Sequence, residues 1–387
     1  MFNTIRRSII ISPSFVFCLS WIFVLVMMAI KWSELIIDVP FDLMLAVIST
    51  MLASIFAYFF VALCPKKCSG IHRDSELHFR HSRLLLYLYL FGTAFELLLE
   101  GNFPLVGLFF GKYILYADYG VSGLHGFLNA IQLYLFLCAV YKYMIYGDKT
   151  SFRLCILFVS ISILLMSRGM IMWQASQALF LYFAIKPPNL RVYLKAVFTV
   201  ILLSATFIFM GNFRVKEGFS ITGIAQISDT YPSFLSDDII WLYLYFTTPF
   251  NNIANSIHNL ETVRYYPFNT ITYALPNVVK GALGFQADNM VILVDDNLNV
   301  SSYLDTFLPD FGLEFLWVSV FFMFIYFNSI YLNARIGNKA ILLNAVFCTM
   351  AFLSIFTNSF TYLILLVQVF LIYTLGSHQH KKTLANE

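Results

Sequence analysis

Apolar residues fill ten stretches of the chain, near 9–30, 41–64, 84–99, 123–146, 154–166, 170–185, 196–210, 313–332, 340–356 and 361–375, with polar loops between them. About 20 apolar residues in a helix cross the ~30 Å hydrocarbon core of a bilayer. The pattern therefore predicts an all-α polytopic membrane protein with about ten transmembrane helices. The fifth and sixth stretches are short, and Arg168 separates them within "SRG". The first stretch follows Arg6 and Arg7 as a signal peptide would. It is too long for a signal core and lacks a small-x-small site before Lys31, so it reads as a retained span.

Three parts follow from this spacing. Residues 1–210 carry spans one to seven, 211–312 form one large loop, and 313–387 carry spans eight to ten and a short tail. Inside the loop, "DDIIWLYLYFTTPF" is too short to cross and contains Pro249. It reads as an interfacial or re-entrant helix broken at the proline.

Composition agrees: 60% of the 387 residues are hydrophobic and 12% charged, with a mean hydropathy of +0.77. A net charge of +3 gives no electrostatic footprint for nucleic acid. Ten spans put both termini on one side, and the loops of that side hold 17 of the 24 basic residues. The positive-inside rule makes that side cytoplasmic. Eleven of the 21 acidic residues lie from Glu217 to Glu314, on the outer face. The six cysteines avoid the large loop, so no disulfide framework is expected. No spacing of Cys, His, Asp or Glu suggests a metal site, and neither a metal nor a cofactor is expected.

Candidate chemistry gathers at the outer face. A guanidinium in hydrocarbon costs at least about 2.5 kcal/mol. Arg168 is therefore either a snorkelling residue at the end of a helix pair or an anion site, since a planar fork matches phosphate oxygens. Arg214, in "GNFRVKEG", follows the seventh span at the same depth, and two arginines there can converge on one pyrophosphate. Tyr245, Pro249, Asn252 and Asn269 lie in two stretches rich in aromatic and amide residues, and Tyr303 opens the approach to the eighth span. Such surfaces suit sugar rings, or equally form an interfacial aromatic belt. Asp310 is either a proton acceptor or the cap of a helix starting near Gly312. His258, with Glu261 nearby, is a second candidate base. The "DFG" at 310–312 has no accompanying kinase loops. His72, His78 and His81 fall in a basic loop suited to anionic lipid.

The "SRG" at 167–169, "GNFR" at 211–214, the spacing Tyr245–Pro249–Asn252, "SSYL…DFG" at 301–312 and "TNSF" at 357–360 together resemble the Wzy-type O-antigen polymerases. The resemblance covers about residues 160–360; the first 150 residues match only as spans. It implies a GT-C-like helical fold in a bacterial inner membrane. It also implies polymerisation of undecaprenyl-diphosphate-linked oligosaccharide repeat units at the periplasmic face, alongside a chain-length regulator of the Wzz type. Arg168 and Arg214 would then handle the diphosphate without a metal. A ligase of the same fold and a lipid-linked oligosaccharide flippase are the alternatives.

Overall fold

The computed structural model describes residues 11–64, 76–79, 81–111, 118–186, 189–212, 221–237, 239–259, 268–285, 291–334 and 338–379. The chain is helical, and a helix occupies each of the ten apolar stretches: α1 (Pro13–Ile30), α2 (Phe41–Leu63), α3 (Ser82–Glu100), α5 (Leu124–Tyr146), α6 (Lys149–Leu164), α7 (Arg168–Ile185), α8 (Leu190–Asn212), α13 (Tyr303–Ala334), α14 (Asn338–Leu353) and α15 (Leu363–Leu375). Between them lie the short α4 (Pro104–Phe109) and four helices of the large loop: α9 (Ile221–Ala225), α10 (Ile239–Asn259), α11 (Asn269–Ala274) and α12 (Asn277–Leu283). Among the described residues, five helices are long and apolar enough to cross a membrane.

Local chemistry sets the helix starts. Ser12 accepts from the Phe15 amide ahead of Pro13, and Asp148 accepts from the Thr150 and Ser151 amides at the start of α6. Outward faces stay apolar: Phe56 and Phe91 are 64% and 76% exposed, which suits lipid contact.

The core is aromatic. Phe17 and Trp21 of α1 meet Tyr303 and Phe324 of α13, Phe250 of α10 and Phe360 after α14, with ring centroids 5.0–6.3 Å apart. Tilted and edge-on pairs of this kind suit the ring quadrupole. Amide pairs join other helices inside the bundle. Gln177 of α7 and Gln368 of α15, both fully buried, exchange two hydrogen bonds of 2.8 Å. Gln132 of α5 donates to the Phe158 carbonyl and to Ser162 of α6.

The loops make local contacts. β1 (Glu76–Phe79) pairs antiparallel with β2 (Gly376–Gln379), Lys186 donates to the Met144 carbonyl and Lys339 to the Tyr373 carbonyl. Segment 31–38 runs along α10. The Trp32 amide donates to the Tyr243 hydroxyl, Asn251 bonds Leu35 and Ile37, and His258 meets Asp38.

Two local expectations change. Pro249 does not break its helix: α10 runs 21 residues through it. A proline inside a helix costs about 3 kcal/mol or more. Here the residues around it, Thr247 to Ala254, are all buried, and that packing holds the helix continuous. The eighth stretch begins earlier than its hydropathy suggests. α13 starts at Tyr303 and is interrupted at Gly312, where φ is 62° and ψ 179°. Only glycine adopts that conformation readily, and a side chain there costs about 1–3 kcal/mol. Gly312→Ala is expected to lower the unfolding free energy in detergent by that amount, and with it the midpoint. An unchanged midpoint would mean that the two halves of α13 do not need this break.

Candidate functional site

Arg168 is the first residue of α7, and Ser167 caps that helix by accepting from the Met170 amide. The local sequence explains the placement. The turn after α6 closes through Leu165 and Met166 onto the Ser167 cap, so α7 opens on the arginine. The guanidinium is half-buried, with its carbon 6.0 Å from the centre of the Tyr245 ring on α10. Tyr245 in turn packs on Phe356 at 4.7 Å, in the segment after α14. The same segment places Tyr362 against Trp173 of α7. Two residues singled out 77 positions apart, Arg168 and Tyr245, thus meet at one end of the bundle.

A polar network continues from there. Asn358 donates to the Thr306 hydroxyl on α13. The Thr306 carbonyl accepts from Asn269 at 3.2 Å and from the Thr270 hydroxyl at 3.3 Å. Asp310 accepts from the Asn269 and Thr270 amides, both at 2.7 Å. It is a helix cap, but of α11 and not of the helix after Gly312. Both carboxylate oxygens satisfy the exposed amides at that helix start, where negative charge is favoured.

Other candidates serve the frame. Asn252 is fully buried; its amide donates to the Leu298 and Val300 carbonyls and accepts from the Val294 amide. It braces the 294–300 segment. Pro249 is buried within α10. Tyr303 is fully buried in the aromatic core, with its hydroxyl 3.0 Å from Thr50. His258 is exposed, and its Nε2 donates to the Asp38 carbonyl at 2.9 Å. Lys31, hydrogen-bonded at 2.6 Å, holds the Asp38 carboxyl below the usual range, with a small contribution from His258. Arg214 and Glu261 lie outside the described residues.

Two features escaped the sequence. Lys280 on α12 sits 5.4 Å from the Tyr273 ring of α11, a second cation on a tyrosine face, and its partial burial lowers its pKa. Asp305, in the first turn of α13, is the residue before Thr306. Its signal was only its place in "SSYLD", which nothing local distinguishes from a helix-start acid. Among the described residues no three His, Cys, Asp or Glu side chains form a metal-ligand set.

The arrangement puts a guanidinium at the amino end of an 18-residue helix, where the backbone already carries partial positive charge. An anion bound there would meet the guanidinium and the helix terminus together. No protein-family model, curated protein or solved structure matches this chain.

Proposed function

We propose that this chain is a surface-polysaccharide polymerase of the O-antigen type. It transfers the growing glycan from undecaprenyl diphosphate to a hydroxyl of an incoming undecaprenyl-diphosphate-linked repeat unit. In this reading ten helices span a bacterial inner membrane in a GT-C-like arrangement, both termini are cytoplasmic, and the Arg168 end is periplasmic. A chain-length regulator of the Wzz type is the expected partner.

The observation that carries the reading is Arg168. It joins the positive end of α7 to a guanidinium held over Tyr245, at the end of the bundle where the large loop packs. Cleaving the glycosyl–phosphate bond builds negative charge on the departing diphosphate. A preorganised cation and helix terminus stabilise that charge most where water is excluded. The tyrosine faces and amide network beside it are the chemistry a sugar needs: apolar faces against rings, hydroxyls against amides.

The test uses purified protein in lipid nanodiscs. The probe is the lipid-linked repeat unit extracted from source cells that lack this chain. Longer lipid-linked glycans and released undecaprenyl diphosphate are expected. Absence of both, with folded protein and intact substrate, would refute polymerisation; movement of the lipid across the bilayer without bond cleavage would favour a flippase.

A further inference from the structure

Transfer to a hydroxyl needs a group to take its proton, and the candidates named from sequence are otherwise engaged. Both oxygens of Asp310 are held at 2.7 Å by backbone amides of α11. Nε2 of His258 is turned onto the Asp38 carbonyl. Asp305 differs. Its Oδ2 accepts from the Ser301 hydroxyl at 2.8 Å, and its Oδ1 is buried without a hydrogen-bond partner among the described residues.

Two further acceptors, on side chains bonded to Thr306 next in sequence to Asp305, share that condition. Asn269 is 0% exposed and Asn358 7%, and the amide oxygen of each is buried without a partner among the described residues. Their orientations are determined by Thr306. Asn269 donates to its carbonyl, which can only accept. Asn358 donates to its hydroxyl, whose own proton goes to the Tyr303 carbonyl. Nitrogen therefore faces Thr306 in both amides, and the oxygens face away. Three buried acceptors lacking donors, one on the residue before Thr306 and two on side chains bonded to Thr306, are costly unless a donor arrives. Hydroxyl groups supply donors; phosphate oxygens do not. The network is continuous with the Arg168 region, since Asn358 lies two residues from Phe356, which packs on Tyr245.

We propose that Asp305 takes the proton of the acceptor sugar's hydroxyl, and that the amide oxygens of Asn269 and Asn358 receive neighbouring hydroxyls of that sugar. This rests on the glycosyl-transfer reading above. The hydroxyl oxygen forms the bond to the anomeric carbon and its proton passes to the Asp305 carboxylate. The bond from the anomeric carbon to phosphate breaks, and its electron pair leaves on undecaprenyl diphosphate.

The nanodisc assay, with the same extracted repeat unit, tests this after wild-type activity is recorded. Asp305→Asn is expected to lower maximal extension about 100-fold or more, as loss of a proton acceptor does, with half-saturation changed less than about threefold. Asp305→Ala is expected to regain activity when formate is added, which a purely structural role would not produce. Ser301→Ala, which removes the bond to Oδ2, is expected to lose less than about tenfold. Extension by Asp305→Asn within about threefold of wild type would overturn the proposal alone. So would loss of wild-type activity on chelation with recovery on adding Mg²⁺, which would assign the three oxygens to a cation. No extension by wild type would overturn the glycosyl-transfer reading and this assignment together.

Discussion

Arg168→Lys is expected to reduce glycan extension about 100- to 1,000-fold, the range seen when one oriented donor to a developing anion is removed. Lysine keeps the charge and much of the length. It loses the planar fork that grips two phosphate oxygens and the flat face that lies on Tyr245. The substitution touches nothing in the aromatic core, so the unfolding free energy in detergent should stay within about 1 kcal/mol of wild type. Comparing extension rates and midpoints of the two proteins separates the roles. Full activity in Arg168→Lys would mean that charge alone suffices there, and would remove the bidentate grip from the mechanism. Equal loss of activity and stability would make Arg168 a structural residue.

Glu96→Ala is expected to be the most destabilising of the polar substitutions. Glu96 is 2% exposed in the last turns of α3, an apolar helix. One carboxylate oxygen lies 2.9 Å from Nδ1 of His125 on α5, and the other accepts from the Val121 amide at 3.2 Å. Glu100, a turn later, accepts from the Gly120 amide at 3.1 Å. Together the two acids clasp the turn before α5. Gly120 has φ of +85°, and a Cβ there would lie 2.7 Å from Glu96 Oε1, so the turn is pressed directly onto the carboxylate. Removing one partner of a buried ionisable pair costs about 3–5 kcal/mol. Glu96→Gln keeps an acceptor for Val121 and should lose about half as much. Unfolding of all three proteins in mixed micelles checks the order; an alanine variant as stable as wild type would show that the clasp contributes nothing.

The Arg168 end of the bundle was legible only in fragments. Arg168 stood out because a guanidinium amid apolar residues carries a cost that needs an explanation, and that cost is a property of the residue and its immediate neighbours. Tyr245 was chosen for its aromatic surroundings, and the structure sets it under that guanidinium. Asp310 presented the reverse case. A carboxylate near a helix start is read as a cap of its own helix, yet it caps α11, 40 residues earlier. Asn252 and Tyr303 were drawn to a ligand by type and are buried within the frame. Sequence distinguishes a polar side chain from an apolar one; it does not say whether the partner is a carbonyl of the same chain or a sugar.

What the sequence by itself determined is the helical, membrane-suited character of the chain and the places where helices run. These follow from hydropathy and helix rise, which act over windows of about 20 consecutive residues. Tertiary structure decided the pairings: Gln177 with Gln368, Glu96 with His125, Arg168 with Tyr245, and Thr306 with both Asn269 and Asn358. It also decided that α10 passes through Pro249 and that α13 breaks at Gly312. The physical reason is range. A span is favoured residue by residue wherever it sits, whereas a buried hydrogen bond or stacked ring exists only once packing brings two distant segments together and excludes water from both.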